Sequence, residues 1–273
     1  MHYFKENIIV NTSGKSDYVA TLQAYIPENS PEVALKHKRP AVLILPGGGY
    51  SFTSDTENEP IALKFVSEGI CAFVLKYSCA PARFPQALCE ALTSLKYIRG
   101  IAGKFFIDEE NIAVCGFSAG GHLAASVGVF WNRPFIGEHI GEYGAVMKPN
   151  KLILSYPVIK NGENGHQGSF DLLLGENPTK ELQELTSLEK QVSSDTPPAF
   201  IWHTYEDDAV PVQNALVFAN QMVACNIPVE LHIYRRGRHG LSLGNHMVDR
   251  ERLPGQKHVS SDWIDKAIRF IYD

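Results

Sequence analysis

The chain has 273 residues, of which 44% are hydrophobic and 20% charged, and its formal net charge is -5. This composition is typical of a soluble globular protein, and the acidic balance argues against a nucleic-acid partner or an anionic membrane surface. The apolar runs are too short to span a bilayer, and the first residues do not match a secretory signal pattern. The five cysteines lack the pairing typical of a metal site, which predicts reduced thiols in a cytoplasmic protein.

Strand-like and helix-like segments alternate along the chain, which predicts crossover connections and a mainly parallel sheet. Residues 3–10 and 17–26 are predicted to pair as antiparallel strands around a turn at residues 13–14. The spacing of Ser54 and Glu57 matches a capping box and predicts a helix that starts there. Further strands are predicted at 41–45, 71–75, 112–115, 152–156, 199–202 and 229–234, and further helices from Pro85 and at 119–130, 210–225 and 259–272.

A long polar insert is predicted between two of these strands, at about residues 158–196. It contains helical pieces of its own at residues 170–174 and 180–191. An insert of this length on a loop is typical of a lid or of a substrate pocket. We therefore expect one domain over residues 1–273, with this insert as a small cap.

The candidate nucleophile is Ser118, which lies in a G-x-S-x-G pattern from Gly116 to Gly120. The pattern alone is weak, but a predicted strand precedes it and a predicted Ala/Gly-rich helix follows it. That context places Ser118 on a sharp turn at the end of a strand. The helix N-terminus favours the negative charge that develops during acyl transfer. The alternative is a structural serine in a tight turn.

The candidate oxyanion hole combines two backbone segments, because a tetrahedral intermediate needs at least two preorganised donors. One donor is predicted to be the N–H of Ala119, the residue after the nucleophile. The other is expected from the glycines that follow the strand at 41–45, where Gly48 and Gly49 are favoured over Gly47 without a firm ranking. A flexible glycine turn is the alternative interpretation.

The candidate base is chosen by position, since the chain has ten histidines. His239 follows the last predicted strand and precedes the last helix, so a parallel sheet would bring it to the same edge as Ser118. His122 lies one helical turn after Ser118 and is expected to pack beside the site. His203 and His232 lie at the end of a strand and inside one, and are interpreted as structural.

The candidate acid follows the strand at 199–202, where three carboxylates are adjacent: Glu206, Asp207 and Asp208. Only one can orient the imidazole of His239 and stabilise its charged form. Asp207 is the first choice and Asp208 the second.

With these residues in place, the chain resembles bacterial acetyl-esterase and xylan-esterase-like proteins of the α/β-hydrolase superfamily. The resemblance covers about residues 40–245. It implies an α/β-hydrolase fold, with a mainly parallel central sheet of about eight strands, helices on both faces and a small insert near the active site. The stretches that carry it are PGGGYSFTSDTENEPIALKF, KYSCAPARFPQAL, NIAVCGFSAGGHLAA, PPAFIWHTYEDDAVPV and ELHIYRRGRHGL.

The resemblance also bears on the site. In that family the aspartate three residues before Val-Pro is the acid of the triad, and this position is Asp207. The order serine, aspartate, histidine along the chain is the one expected on this fold. Two departures are Pro46, where the hormone-sensitive-lipase branch has histidine, and Glu90, where similar proteins often have aspartate.

The expected activity is hydrolysis of a carboxylic ester through an acyl-enzyme, without a metal or organic cofactor. The resemblance implies small acyl groups, mainly acetyl, on a small molecule or a carbohydrate hydroxyl. Two alternatives stay open, an amide or formamide hydrolase on the same residues and a non-catalytic binding scaffold. No nucleic-acid or membrane partner is expected, and a homo-oligomer is left open.

Overall fold

A computed structural model of the chain describes residues 1–10, 12, 18–30, 32, 37–249 and 251–273. Its centre is one eight-stranded sheet, formed by β1 (His2–Ile9), β2 (Val19–Ile26), β3 (Arg39–Leu45), β4 (Cys71–Lys76), β5 (Ile107–Phe117), β6 (Lys151–Ser155), β7 (Ala199–Thr204) and β8 (Val229–Tyr234). The spatial order is β1-β2-β4-β3-β5-β6-β7-β8. β2 pairs antiparallel with β1 and with β4, and the other neighbours are parallel. The predicted mainly parallel sheet is confirmed, and the turn predicted at residues 13–14 lies outside the described residues.

Helices cover both faces of this sheet, as predicted. The helices are α1 (Glu59–Ser67), α2 (Gln86–Phe105), α3 (Ala119–Phe130), α4 (Pro134–Ile140), α5 (Gln167–Leu174), α6 (Lys180–Leu185), α7 (Gln213–Ala224) and α8 (Trp263–Tyr272). One core cluster joins the sheet to α2, α3 and α7, and a second joins it to α1 and α8. Leu43 of β3 belongs to the first cluster and Val42 to the second, because successive strand side chains point to opposite faces. Within the described ranges, no helix is both long and apolar enough to cross a membrane.

The predicted capping box at Ser54 and Glu57 is wrong. Residues Asp55–Glu57 form a short 3-10 turn, the Ser54 side chain makes no capping hydrogen bond, and α1 begins only at Glu59. Pro60 stands in the first turn of α1, where its fixed φ favours the start of a helix and its missing N–H costs nothing. The carboxyl group of Glu57 is buried instead.

Several other elements differ from the predictions at their ends. The strand predicted at 112–115 begins at Ile107, and α4 lies in a stretch for which no helix was predicted. The helix predicted at 210–225 begins at Gln213, and the segments predicted at 180–191 and 259–272 each divide into an α-helix and a 3-10 turn. Helix ends depend on local capping, which periodicity does not report.

The C-terminal ends of β3, β5 and β7 lie at one edge of the sheet, because these strands are parallel. β8 is parallel to β7 and ends at the same edge. The loops that follow these four strands contain the glycine segment 47–49, Ser118, Asp207 and His239 respectively. The parallel topology therefore gathers all the candidate site residues at one edge. The segment between β6 and β7 contains α5 and α6.

Candidate active site

Ser118 occupies a sharp turn between β5 and α3. Its φ is +53° and its ψ is −119°, a conformation that residues with a side chain rarely adopt. The backbone is fixed on both sides, because Ser118 N–H donates to the carbonyl of Ser155 at 3.0 Å and its own carbonyl accepts from Val158 N–H at 3.0 Å. A Cβ on Gly120 would lie 2.1 Å from the carbonyl oxygen of Leu45, so only glycine lets α3 start this close to β3.

The structure brings Ser118, His239 and Asp207 into one hydrogen-bonded chain. His239 Nε2 lies 2.7 Å from Ser118 Oγ, and His239 Nδ1 lies 2.7 Å from Asp207 Oδ2. Asp208, the second candidate for the acid, is exposed to solvent. The three residues come from three different loops. In the sequence, Asp207 is 32 residues from His239, and Ser118 is 121 residues from His239.

Asp207 is held as a carboxylate that faces His239. Its Oδ1 accepts hydrogen bonds from the N–H groups of Ala209 at 3.1 Å and Val210 at 2.9 Å. Burial raises the pKa of Asp207, but hydrogen bonds from His203 and His239 and the charge of His239 outweigh it and hold this pKa well below its usual range. A carboxylate at Nδ1 places the imidazole proton there, which leaves Nε2 free to accept the proton of Ser118.

Two further histidines lie around this chain of contacts. His203 is fully buried, and its Nε2 lies 3.3 Å from Asp207 Oδ2 and 2.9 Å from the carbonyl oxygen of Val210. His122 accepts from the hydroxyl of Tyr50 at 2.8 Å, and its other ring nitrogen lies 2.9 Å from the carbonyl of Thr186. Burial lowers the pKa of His122 to about 4, so it is neutral at ordinary pH. His203 therefore contacts the candidate acid, and His122 contacts Tyr50 and Thr186. No hydrogen bond joins either histidine to the Ser118 hydroxyl, which lies 2.7 Å from His239 Nε2.

The glycine loop after β3 lies against Ser118, because a Cβ on Gly47 would be 2.9 Å from Ser118 Cβ. The N–H of Gly47 is already bound, since it donates to Glu57 Oε2 at 2.8 Å. Within the described residues, no acceptor binds the N–H groups of Gly48 and Gly49, and Ala119 stands in the first turn of α3, where the N–H has no helical acceptor. Gly48 has φ +130°, and a Cβ there would lie 2.1 Å from the carbonyl oxygen of Phe52. These three N–H groups are the ones that the sequence favours as oxyanion donors.

Two buried residues beside the site, Glu57 and Tyr156, are not among the site residues predicted from the sequence. Tyr156 donates to Glu57 Oε1 at 2.6 Å and accepts from Ser242 N–H at 2.9 Å. The Tyr156 ring also packs edge-on against His239, with centroids 5.0 Å apart. The sequence signal at Glu57 was its spacing from Ser54, which indicated a helix cap, and nothing local marked Tyr156.

The segment between β6 and β7 approaches the glycine loop. Ser169 Oγ lies 3.8 Å from the position of a Cβ on Gly49. His166 Nδ1 accepts from Ser169 N–H at 3.2 Å and lies 2.8 Å from Ser169 Oγ, so the proton of the neutral ring is on Nε2. Burial lowers the pKa of His166, the charge of His239 lowers it further, and Asp207 raises it. His166 therefore lies near enough to His239 and Asp207 for their charges to shift its pKa.

The sequence is similar to a known protein family and to curated enzymes. A model of the BD-FAE family matches residues 22–222. Endo-1,4-beta-xylanase B of Butyrivibrio fibrisolvens is 37% identical over 251 residues, which are 89% of this chain and 38% of that protein. Acetylxylan esterase of Xylanibacter ruminicola is 29% identical over 84% of this chain and 45% of its own length. The chain thus spans less than half the length of these two curated relatives.

Solved structures share the fold over nearly the whole chain. The acetyl ester-xyloside bifunctional hydrolase of Caldicellulosiruptor lactoaceticus has a TM-score of 0.80 and 35% identity, and the match covers 94% of this chain and 88% of that one. The carboxylesterase Cest-2923 of Lactobacillus plantarum has a TM-score of 0.81 and 25% identity, over 100% and 97% of the two chains. Because the family model covers well over half of the sequence, the chain belongs to the BD-FAE family, within the α/β-hydrolase superfamily.

Proposed function

We propose that this chain hydrolyses carboxylic esters through a covalent acyl-enzyme on Ser118. The observation that carries the proposal is the contact chain from Ser118 Oγ through His239 to Asp207, together with backbone N–H groups nearby that have no acceptor in the part of the chain that the structure describes. This arrangement supplies a nucleophile, a base with a fixed tautomer and a place for an oxyanion, which acyl transfer requires together.

The proposed reaction has two halves. Ser118 Oγ attacks the ester carbonyl while His239 Nε2 takes the hydroxyl proton, and the N–H groups of Gly48, Gly49 and Ala119 bind the oxyanion. The C–O bond of the ester then breaks, and His239 returns its proton to the departing alcohol. A water molecule, deprotonated by His239, then attacks the acyl carbon, the bond from this carbon to Ser118 Oγ breaks, and His239 returns the proton to Ser118 Oγ as the acid leaves. Asp207 stabilises the charged imidazole throughout, and the steps need no metal or organic cofactor.

The proposed substrates are small acyl esters, chiefly acetyl groups on carbohydrate hydroxyls. The relatives named above include an acetylxylan esterase and an acetyl ester-xyloside hydrolase, which supports this choice. No observation favours the formamide alternative. The segment from 158 to 196 is proposed to form part of the pocket, because Ser169 approaches Gly49 and His166 lies in electrostatic range of His239.

A substrate panel tests the proposed substrate class. We expect kcat/KM for p-nitrophenyl esters to fall by about tenfold or more from acetyl to octanoyl, and acetylated xylo-oligosaccharides to be deacetylated. The measurement is kcat/KM across the acyl series, together with acetate release from the sugars. Faster turnover of octanoyl than of acetyl esters, or of N-formylkynurenine than of either, would contradict the assignment.

His166→Ala is expected to weaken binding of sugar esters selectively. His166 Nε2–H is a donor with no acceptor among the described residues, and we expect it to bind an oxygen of the alcohol part of the substrate. Loss of one such hydrogen bond should raise KM for an acetylated xyloside by about tenfold while p-nitrophenyl acetate changes little. Gln167→Ala at an exposed neighbouring position is the matched control. Equal effects of His166→Ala on both substrates would exclude this role.

A further inference from the structure

Glu57 is a fully buried acid that the proposed reaction does not use. Only 3% of its surface is exposed, and a carboxylate loses much hydration free energy on burial. Burial raises the pKa of Glu57 above its usual range, and hydrogen bonds from Tyr156 and Gly47 and the charge of His239 offset only part of this rise. Because both of its oxygens accept from fixed donors, the ionised form satisfies the site best.

One oxygen of Glu57 holds the glycine loop. Oε2 accepts from Gly47 N–H at 2.8 Å. A Cβ on Gly47 would lie 2.8 Å from this oxygen and 2.9 Å from Ser118 Cβ, so the loop is close to both the carboxylate and the serine. The next residues are Gly48 and Gly49, whose N–H groups are the proposed oxyanion donors. The position of those donors relative to Ser118 therefore depends on the bond at Gly47.

The other oxygen of Glu57 holds the loop of His239. Oε1 accepts from the hydroxyl of Tyr156, which in turn accepts from Ser242 N–H. Ser242 lies three residues after His239, and its Oγ donates to the carbonyl of Thr56 at 2.5 Å, next to Glu57. The Tyr156 ring meanwhile packs on the imidazole. The second oxygen is thus linked to the loop of His239 through Tyr156 and Ser242.

We propose that Glu57 is a positioning residue that couples the two halves of the site, the oxyanion loop through Gly47 and the His239 loop through Tyr156 and Ser242. The proposal rests on the proposed function, because it assigns Glu57 to the alignment of those catalytic groups. A hydrophobic residue in this place would pack without the desolvation cost of a buried charge. A hydrophobic residue could not, however, form the hydrogen bonds that Glu57 makes to two separate loops.

Glu57→Gln tests the proposal with almost no change in shape. An amide has one accepting oxygen and one donating nitrogen. With the oxygen on Gly47 N–H, the nitrogen faces the Tyr156 hydroxyl, which must then accept instead of donate and loses its charge-assisted bond to a carboxylate. We expect kcat for p-nitrophenyl acetate, corrected for the fraction of enzyme that reacts with a fluorophosphonate, to fall by about 10- to 100-fold, with KM within about threefold of the parent. The Ki of phenylboronic acid, which forms a tetrahedral adduct on the serine, should rise in parallel with the fall in kcat.

Glu90→Gln is the matched control. Glu90 is also fully buried, and it accepts hydrogen bonds from Ser78 and Gln86 but contacts none of the proposed catalytic residues. Its substitution has a comparable structural cost, and kcat per reactive site should stay within about twofold of the parent. If Glu57→Gln lowers kcat and raises Ki no more than Glu90→Gln does, the positioning role is excluded.

Tyr156→Phe provides a second route if Glu57→Gln folds poorly. It removes the hydroxyl between Glu57 and Ser242 and keeps the ring against His239. We expect a smaller fall in kcat, and in the double variant a combined loss smaller than the product of the two single losses, because both act on one contact. An unchanged kcat in Tyr156→Phe, or fully multiplicative losses, would overturn the coupling. Activity in Ser118→Ala would refute the proposed function itself, so the two failures are distinguishable.

Discussion

Ser118→Ala is expected to lower kcat/KM for p-nitrophenyl acetate by about 10⁵-fold or more, leaving only the slow attack of water on a bound ester. The substitution removes the Oγ atom that lies 2.7 Å from His239 Nε2, and with it the acyl-enzyme. The free energy of unfolding should change by no more than about 1 kcal/mol, since one hydrogen bond is lost. The measurement is steady-state kinetics together with thermal unfolding of the same preparation.

Ser126→Ala is a suitable control for that variant. Ser126 lies in α3, the helix that follows Ser118, is buried, and donates through Oγ to the carbonyl of His122. Its loss costs a hydrogen bond of the same kind but no reacting atom, so activity should stay within about threefold of the parent. Parent-like activity in Ser118→Ala would refute the proposed mechanism.

Asp207→Asn is expected to lower kcat by about 10⁴-fold, on the pattern of other serine hydrolases. Asp207 Oδ1 accepts two backbone N–H groups, which hold the amide oxygen of an asparagine in that place. The amide nitrogen then takes the position of Oδ2 and donates to His239 Nδ1, which moves the imidazole proton to Nε2. A protonated Nε2 cannot accept the proton of Ser118, so the base is lost while the structure is kept.

Asp208→Asn separates this effect from a general loss of negative charge. Asp208 is the adjacent residue and is exposed to solvent, so its substitution should change kcat by less than about threefold. If Asp208→Asn has the larger effect of the two, the acid has been assigned to the wrong residue. Measurement of kcat for both variants under saturating p-nitrophenyl acetate decides the matter.

Most of the fold could be predicted because its signals are local or topological. The short apolar runs at 41–45 and 112–115 indicate strands buried on both faces, and alternation with helical segments predicts parallel pairing. Parallel pairing in turn brings the ends of separate strands to one edge. His239 and Asp207 could therefore be placed near Ser118 without knowledge of any contact between them, and the structure brings the three together.

The role proposed for Glu57 could not be predicted, because its contacts are long-range and its local signal indicated something else. The spacing from Ser54 to Glu57 is that of a capping box, and only tertiary structure shows Glu57 pointing inward to Tyr156, 99 residues away. Pro60 also moves the start of α1 beyond the predicted cap. His166 was missed for a similar reason, since its position depends on how the segment between β6 and β7 lies against Gly49.

The most direct test of the central assignment is fluorophosphonate labelling followed by peptide mapping. A fluorophosphonate reacts with a serine that has an activating base, and its adduct resembles the tetrahedral intermediate. The proposed mechanism predicts one label per chain, located on Ser118, with loss of esterase activity in proportion to labelling and no labelling of Ser118→Ala. An enzyme that hydrolyses esters while Ser118 stays unlabelled, or that is inactivated by a label elsewhere, would contradict it.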